Sequence, residues 1–242
     1  MKVKLLNYSK DALYVIYSAF RQCYSSESAF EIFEKVRKEK ENKKYEEFIK
    51  NLISCNHLSP IEHISFTFSI SGVSRALTHQ LVRHRIASYS QQSQRYVEAK
   101  DFEYVIPPSI LKNPKLKKEF IKLMKEIKAK YDFFVKELKK LNKTSEKVYE
   151  DARYILPQAT QTKIVVTMNC RELLHFFNER CCNRAQWEIR RLAYEMLDIC
   201  KKKLPSVFEK AGPKCNSLGY CPEPKKFSCG KFPPKEDMIR NG

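Results

Sequence analysis

Ile64-Ser65-Phe66-Thr67-Phe68-Ser69-Ile70-Ser71-Gly72 alternates large apolar side chains with short hydroxyls at every second position. A period of two is the mark of a strand with one face buried and one face polar, and Gly72 is read as its end. On both sides the period lengthens to that of a helix. Upstream, Leu13, Ile16, Tyr17 and Phe20 recur at three- and four-residue spacing, with Ser9 as the expected N-cap. Two further helical stretches follow around Phe30, Phe33 and Val36 and around Phe48 and Leu52, joined by the charged 38–44 segment. Downstream, Ser74 is placed to cap a helix that runs to about Arg83.

Beyond a polar loop, Pro107-Pro108 breaks the chain. A long helix is then predicted, with Leu116, Phe120, Leu123, Ile127, Tyr131, Phe134 and Leu138 on its apolar side. Thr144-Ser145 opens another, which Pro157 stops. Thr162 to Met168 reads as a buried strand, followed by helices over 172–182 and 185–202. From about Pro205 the chain becomes rich in proline and cysteine. Strands set singly between helical blocks argue for an α+β fold, with a mainly antiparallel sheet flanked by helices and a long helical segment, rather than for regular βαβ units. A chain of 242 residues needs no second domain, so 1–242 is read as one.

The formal charge is +18, so the protein attracts anions. Nucleic acid, nucleotides and folate polyglutamates all satisfy that condition. Thirteen lysines against five acidic residues lie between Lys112 and Lys147, the pattern of a solvated helical face. The arginines lie elsewhere, and their planar forks suit phosphates and carboxylates better than lysine does. No leader-like or membrane-length apolar run is present, and nine cysteines at irregular spacing suit a reducing compartment, so a cytoplasmic location is expected. Five glycines and no glycine-rich phosphate loop mean that any phosphate must be held by arginines, hydroxyls or helix N-termini.

The segment Arg83-His84-Arg85-Ile86-Ala87-Ser88-Tyr89-Ser90-Gln91-Gln92-Ser93-Gln94-Arg95-Tyr96 concentrates arginines, hydroxyls and amides where a helix gives way to a loop. Its chemistry fits anion binding or a solvated basic turn. Four other segments stand in order around it: His57-Leu58-Ser59-Pro60-Ile61-Glu62-His63; Ala152-Arg153-Tyr154-Ile155-Leu156-Pro157; Asn169-Cys170-Arg171-Glu172-Leu173; and Arg180 with Ala185-Gln186-Trp187-Glu188-Ile189-Arg190. With Arg83-His84-Arg85, Ser93 and Arg95, this set resembles the flavin-dependent thymidylate synthases, over most of residues 57–190.

The resemblance implies reductive methylation of dUMP to dTMP, with methylenetetrahydrofolate as one-carbon donor and FAD, reduced by NAD(P)H, as hydride donor. It implies a homotetramer with active sites shared between subunits. Ser59, Glu62, Arg83, His84, Arg85, Gln91, Asn169, Arg171 and His175 would contact FAD. Gln80, Arg83, Gln91, Gln92, Ser93, Gln94, Arg95, Arg153 and Arg180 would contact dUMP. By the same resemblance Arg180 would carry the catalytic role of activating the uracil. Gln91 and Gln94 stand where some members have Glu and Gly, and Arg184 where some have His.

Beside that reading stand simpler ones. Glu62 and His63 can merely begin a strand, and Gln186, Trp187 and Ile189 can be helix packing, with Trp187 in the core. His84, between two arginines, is expected to be neutral and to hydrogen-bond or stack. Arg153 and Arg180 on apolar helices need partners. Cys215, Cys221 and Cys229 lack the tight pairing of common zinc sites, so reduced thiols, a labile disulfide or a structural metal are all open, and no metal is assigned. No specific nucleic acid or membrane partner is expected. A basic nucleic-acid binder is the rival of another class, and a cysteine nucleophile attacking dUMP is the rival within the same reaction.

Overall fold

A computed structural model describes residues 1–100 and 102–239. Four strands, β1 (Lys2–Tyr8), β2 (Ser65–Ser74), β3 (Ala87–Gln91) and β4 (Gln161–Asn169), form one antiparallel sheet in the order β1-β2-β4-β3. The α+β class expected from the sequence holds. Contacts gather into two compact units: one of Met1–Lys2, Ile70–Arg83 and Tyr89–Val165, the other of Val3–Ser69, His84–Ser88 and Val166 onward.

The first unit contains α4 (Arg75–Leu81), the short α5 (Pro108–Leu111), the 26-residue α6 (Pro114–Lys139) and α7 (Ser145–Ala152). Ser74 caps α4 as expected, its hydroxyl accepting from the Leu77 N–H at 3.0 Å. β2 does not stop at Gly72. That residue takes a φ of +67°, which glycine adopts without strain, and the strand continues to Ser74. A Cβ there would meet the Met1 backbone nitrogen at 3.2 Å, a tight contact that would need the first residue to shift by a few tenths of an ångström. On α6 the apolar side is only partly covered: Tyr131 and Val135 are buried with Val148 and Ala152 of α7, whereas Leu116, Leu123 and Phe134 are exposed.

The second unit holds α1 (Ala12–Arg21), α2 (Ala29–Glu39), α3 (Asn42–Ser54), α8 (Cys170–Arg180), α9 (Trp187–Lys203) and the short helices α10 (Pro205–Phe208), α11 (Lys214–Leu218) and α12 (Lys235–Ile239). Ser9 is not the cap of α1. Strand β1 precedes the helix, and the Ser9 hydroxyl accepts from the Ser65 N–H at 2.9 Å while its own N–H donates to the Ser65 carbonyl at 3.0 Å. Pairing with β2 takes the hydroxyl, and Asp11, at a φ of 54°, turns the chain into the helix. α2 begins with a reciprocal capping box between Ser28 and Glu31. The core of this unit packs Phe66, Phe68, Phe176, Phe177 and Phe208, all fully buried. Trp187 is half-buried, not core. Glu188 and Ile189 turn inward instead, because Gln186 caps α9 through its side-chain carbonyl and so sets the phase of the first turn.

Candidate active site

The 83–96 segment is not all loop: Ala87–Gln91 is strand β3, and from Tyr89 onward the segment belongs to the first unit. Its tyrosine hydroxyl, on Tyr89, donates to the Leu81 carbonyl at 2.8 Å. Gln91 is anchored by its amide, which donates to Thr78 Oγ1 at 3.1 Å and Thr162 Oγ1 at 3.3 Å. A carboxylate at this position can only accept, so both hydroxyls would have to turn around. Beyond it, Gln92, Ser93 and Gln94 border a cavity of about 650 Å³ with Gly72, Phe102 and Thr162 on its other sides. That volume lies within the range of small-ligand sites. Ser93 Oγ accepts from the Arg95 N–H at 3.1 Å, which folds the loop back on itself.

Arg95 is half in solvent and binds Glu146 through Nη2 at 2.5 Å and Glu150 through Nε at 2.6 Å. Arg153, at the C-terminal end of α7, is half-buried. The electrostatic field of Arg153, after the larger effect of burial, lowers the pKa of Arg75. The two guanidiniums are thus near enough for their charges to interact, in partly buried surroundings. Arg75 was not among the residues singled out in the sequence; the signal was its place as the first residue of a helix, beside a cap that sequence reading did find. Gln80 leans back on its own helix, donating to the Ala76 carbonyl at 3.4 Å, and Arg83 is exposed.

In the second unit, His84 is buried to 6% exposure and sits between two partners. Arg180 Nε donates to its Nε2 at 3.0 Å, and its Nδ1 lies 3.1 Å from Glu172 Oε1. A guanidinium cannot accept, so Nε2 carries the lone pair and Nδ1 the proton, which it donates to Glu172. The imidazole is therefore neutral, and the contact with Glu172 is a hydrogen bond rather than an ion pair. Burial first, then the charges of Arg180 and His175, lower the His84 pKa to about 4. Neutrality was expected, but from Arg83 and Arg85; the cause is burial and Arg180. Burial also raises the Glu172 pKa. In the sequence Glu172 stands within the quoted 169–173 segment without an assigned role; it shares the face of α8 that buries Leu173, Phe176 and Phe177, where a carboxyl needs a partner.

Of the other residues expected around a flavin, Asn169 caps α8, its Oδ1 accepting from the Glu172 N–H at 2.9 Å and its amide nitrogen remaining a donor. Arg171 pairs with Glu62, at the three-residue-per-turn segment Ser59–His63. Ser59, Arg85, Arg171 and His175 are exposed, and the His175 ring lies 5.6 Å from that of His84. The structure thus divides the candidates. Gln80, Arg83, Gln91 to Arg95 and Arg153 fall in the first unit, and Ser59, Glu62, His84, Arg85, Asn169, Arg171, His175 and Arg180 in the second.

A second cavity, of about 280 Å³, is lined by Arg180, Cys181, Cys182, Cys215, Cys221 and Cys229, among others. The cysteines are free thiols. Among the described residues no group of three or more His, Cys, Asp or Glu side chains is arranged to hold a metal ion. Burial pushes the Cys181 thiol up to about 12, and the thiolate is the form that attacks. Cys181 is unsuited to be a nucleophile. No helix among the described residues is long and apolar enough to cross a membrane.

Residues 4–206 match the protein family described as "Thymidylate synthase complementing protein". The chain belongs to that family. It is 50% identical over 238 residues to the flavin-dependent thymidylate synthase of Nitratidesulfovibrio vulgaris, covering 98% of this chain and 97% of the relative. Against the enzyme of the same name from Clostridium tetani the identity is 49% over 239 residues, 96% of this chain and 94% of the relative. Against that of Geobacter sulfurreducens it is 45% over 242 residues, 99% and 98%. The family match takes in both the Arg95 and the His84–Arg180 constellations, and leaves out the cysteine-rich tail after 206.

Proposed function

We propose that this chain converts dUMP to dTMP, taking the one-carbon unit from methylenetetrahydrofolate and reducing equivalents from NAD(P)H, as one catalytic domain in a cytoplasmic homotetramer with shared sites. The observation that carries the reading is the full-length likeness to flavin-dependent thymidylate synthases in a chain where a buried, neutral histidine orients Arg180.

FAD suits the donor set present: Arg85, Arg171 and Ser59 are exposed, Asn169 keeps an amide donor, and arginines take the place of a glycine-lined phosphate cradle. Ser59, Glu62, Arg83, His84, Arg85, Gln91, Asn169, Arg171 and His175 would hold it, and when bound it supplies the hydride that completes the methyl group. The protein's own part is placement and electrostatics. Gln80, Arg83, Gln92, Ser93, Gln94, Arg95 and Arg153 bind dUMP through hydroxyls, amides and guanidiniums. Arg180 spends Nε on His84, which fixes the plane of the guanidinium and leaves its terminal nitrogens to stabilise negative charge developing on the uracil. Because an arginine keeps its proton at any working pH, that charge is permanent. Glu172 holds the His84 tautomer that makes this orientation possible. Ser93 acts as a binding hydroxyl rather than a nucleophile, its Oγ accepting from the Arg95 N–H at 3.1 Å.

Purified protein should show a flavin absorbance spectrum, or acquire one on titration with FAD, and should form dTMP from dUMP, methylenetetrahydrofolate and NADPH. Protein that takes up no flavin and yields no dTMP would defeat the proposal.

A further inference from the structure

Four side chains on α7 and its end, Glu146, Tyr149, Glu150 and Arg153, are spaced i, i+3, i+4 and i+7, which puts them on one helix face. Three of the four are bound to the stretch of chain that begins with Gln92. Glu146 and Glu150 take Nη2 and Nε of Arg95, and the Tyr149 hydroxyl donates to Glu98 at 2.9 Å. One residue further on, the Ala99 N–H donates to the Tyr131 hydroxyl of α6 at 3.2 Å. The fourth, Arg153, carries α7 directly to a second arginine of the nucleotide-binding set.

We propose that Glu146 and Glu150 are positioning residues for dUMP, holding Arg95 in the orientation in which it meets the nucleotide and making α7 a common frame for Arg95 and Arg153. This rests on the reading given under Proposed function. A free arginine has four rotatable bonds, and fixing them on binding costs affinity. Two carboxylates on successive turns of one helix remove that freedom in advance. They occupy the Nε and Nη2 side of the fork, so its other edge, at Nη1, is the one turned to a ligand. Tyr96 lies against the same guanidinium, its ring centroid 5.5 Å from the Arg95 Cζ, and limits rotation from the face. Each ion pair is part-exposed and contributes little to folding by itself, so geometry rather than stability is the effect to be measured.

The variants are Glu146→Gln, Glu150→Gln and both together in the full-length, FAD-loaded protein. Glutamine keeps the shape and one acceptor oxygen but removes the charge that holds the fork. In steady-state dTMP formation the double variant should raise KM for dUMP about ten-fold with kcat within about two-fold, the pattern of lost ground-state and transition-state binding alike. FAD content and NADPH-driven flavin reduction without dUMP should match the parent protein, and each single variant should fall between. Equilibrium titration with dUMP should show the same loss of affinity, which separates positioning from damage to the fold. An unchanged dUMP affinity in the double variant would overturn the proposal, as would tighter binding, which would make the carboxylates competitors of the substrate. Arg95→Ala tells the two levels apart. If it weakens dUMP binding while the double glutamine variant does not, the positioning role fails and the nucleotide site stands; if the parent protein binds no dUMP, the underlying reading fails.

Discussion

At the scale of the residue, the chemistry rests on a few side chains whose states are set by burial. Arg180→Ala should reduce dTMP formation by about 10²-fold or more, the usual cost of removing a donor aimed at developing charge, while FAD binding and its reduction by NADPH persist. Turnover at the parental rate would remove Arg180 from the mechanism. His84 gives a pH prediction. Its folded pKa, about 4, is below the unfolded value of about 6.5, so the unfolded chain takes up a proton first as pH falls. The stability associated with neutral His84 is present above about pH 6.5 and is lost progressively down to about pH 4. Glu172 pulls the other way, because burial raises its pKa and protonation there favours the folded state. Urea midpoints for the parent protein and His84→Asn, followed from pH 7 to pH 4, should converge as the pH falls. A gap that stays constant would mean that His84 does not titrate as a buried neutral group.

At the scale of the element, caps were the most readable features and strand edges the least. Ser74 reads as a cap and is one, because the serine hydroxyl reaches its own helix without help from distant chain. Ser9 has the same local look and is drawn into a sheet, since Ser65 offers it a backbone partner that only folding brings near. The box at the start of α2 is local in the same sense as Ser74. Ser28→Ala should cost about 1 kcal/mol in chemical denaturation without changing KM for dUMP. A change in KM would show that α2 communicates with the site. β3 escaped notice because Ala87-Ser88-Tyr89-Ser90-Gln91 is weakly apolar and its register comes from β4. The lysines of α6 do form a mostly solvated surface, but exposed Leu116, Leu123 and Phe134 show that a helical stripe in sequence is not a measure of burial.

At the scale of the whole molecule, the proposed shared-site assembly is open to a direct test. Arg83→Ala and Arg153→Ala should each be nearly inactive. If a site draws these arginines from different chains, random mixed oligomers contain intact pairs at about a quarter of their sites, and that share of activity should return. Differentially tagged variants, mixed after subunit exchange is demonstrated, supply the measurement. No recovery would place both arginines of a site on one chain. A return of about a quarter would support sites composed from two chains.

What the sequence alone determined follows from covalent order: the alternation that makes β2, the hydroxyl at Ser74, the arginine forks spaced along 83–95, and the family to which the chain belongs. Each is a property of neighbouring residues or of their spacing, and apolar patterns of period two or 3.6 are legible without coordinates. Tertiary structure alone decided that Glu172 holds the proton of His84, that His84 holds Arg180, and that Glu146 and Glu150 hold Arg95. These partners lie between 51 and 96 residues apart in sequence, with Glu172 88 from His84 and Arg180 96 from it. No local pattern specifies such pairings. They arise because a buried or clustered polar group must find a partner, and folding determines which one is within reach.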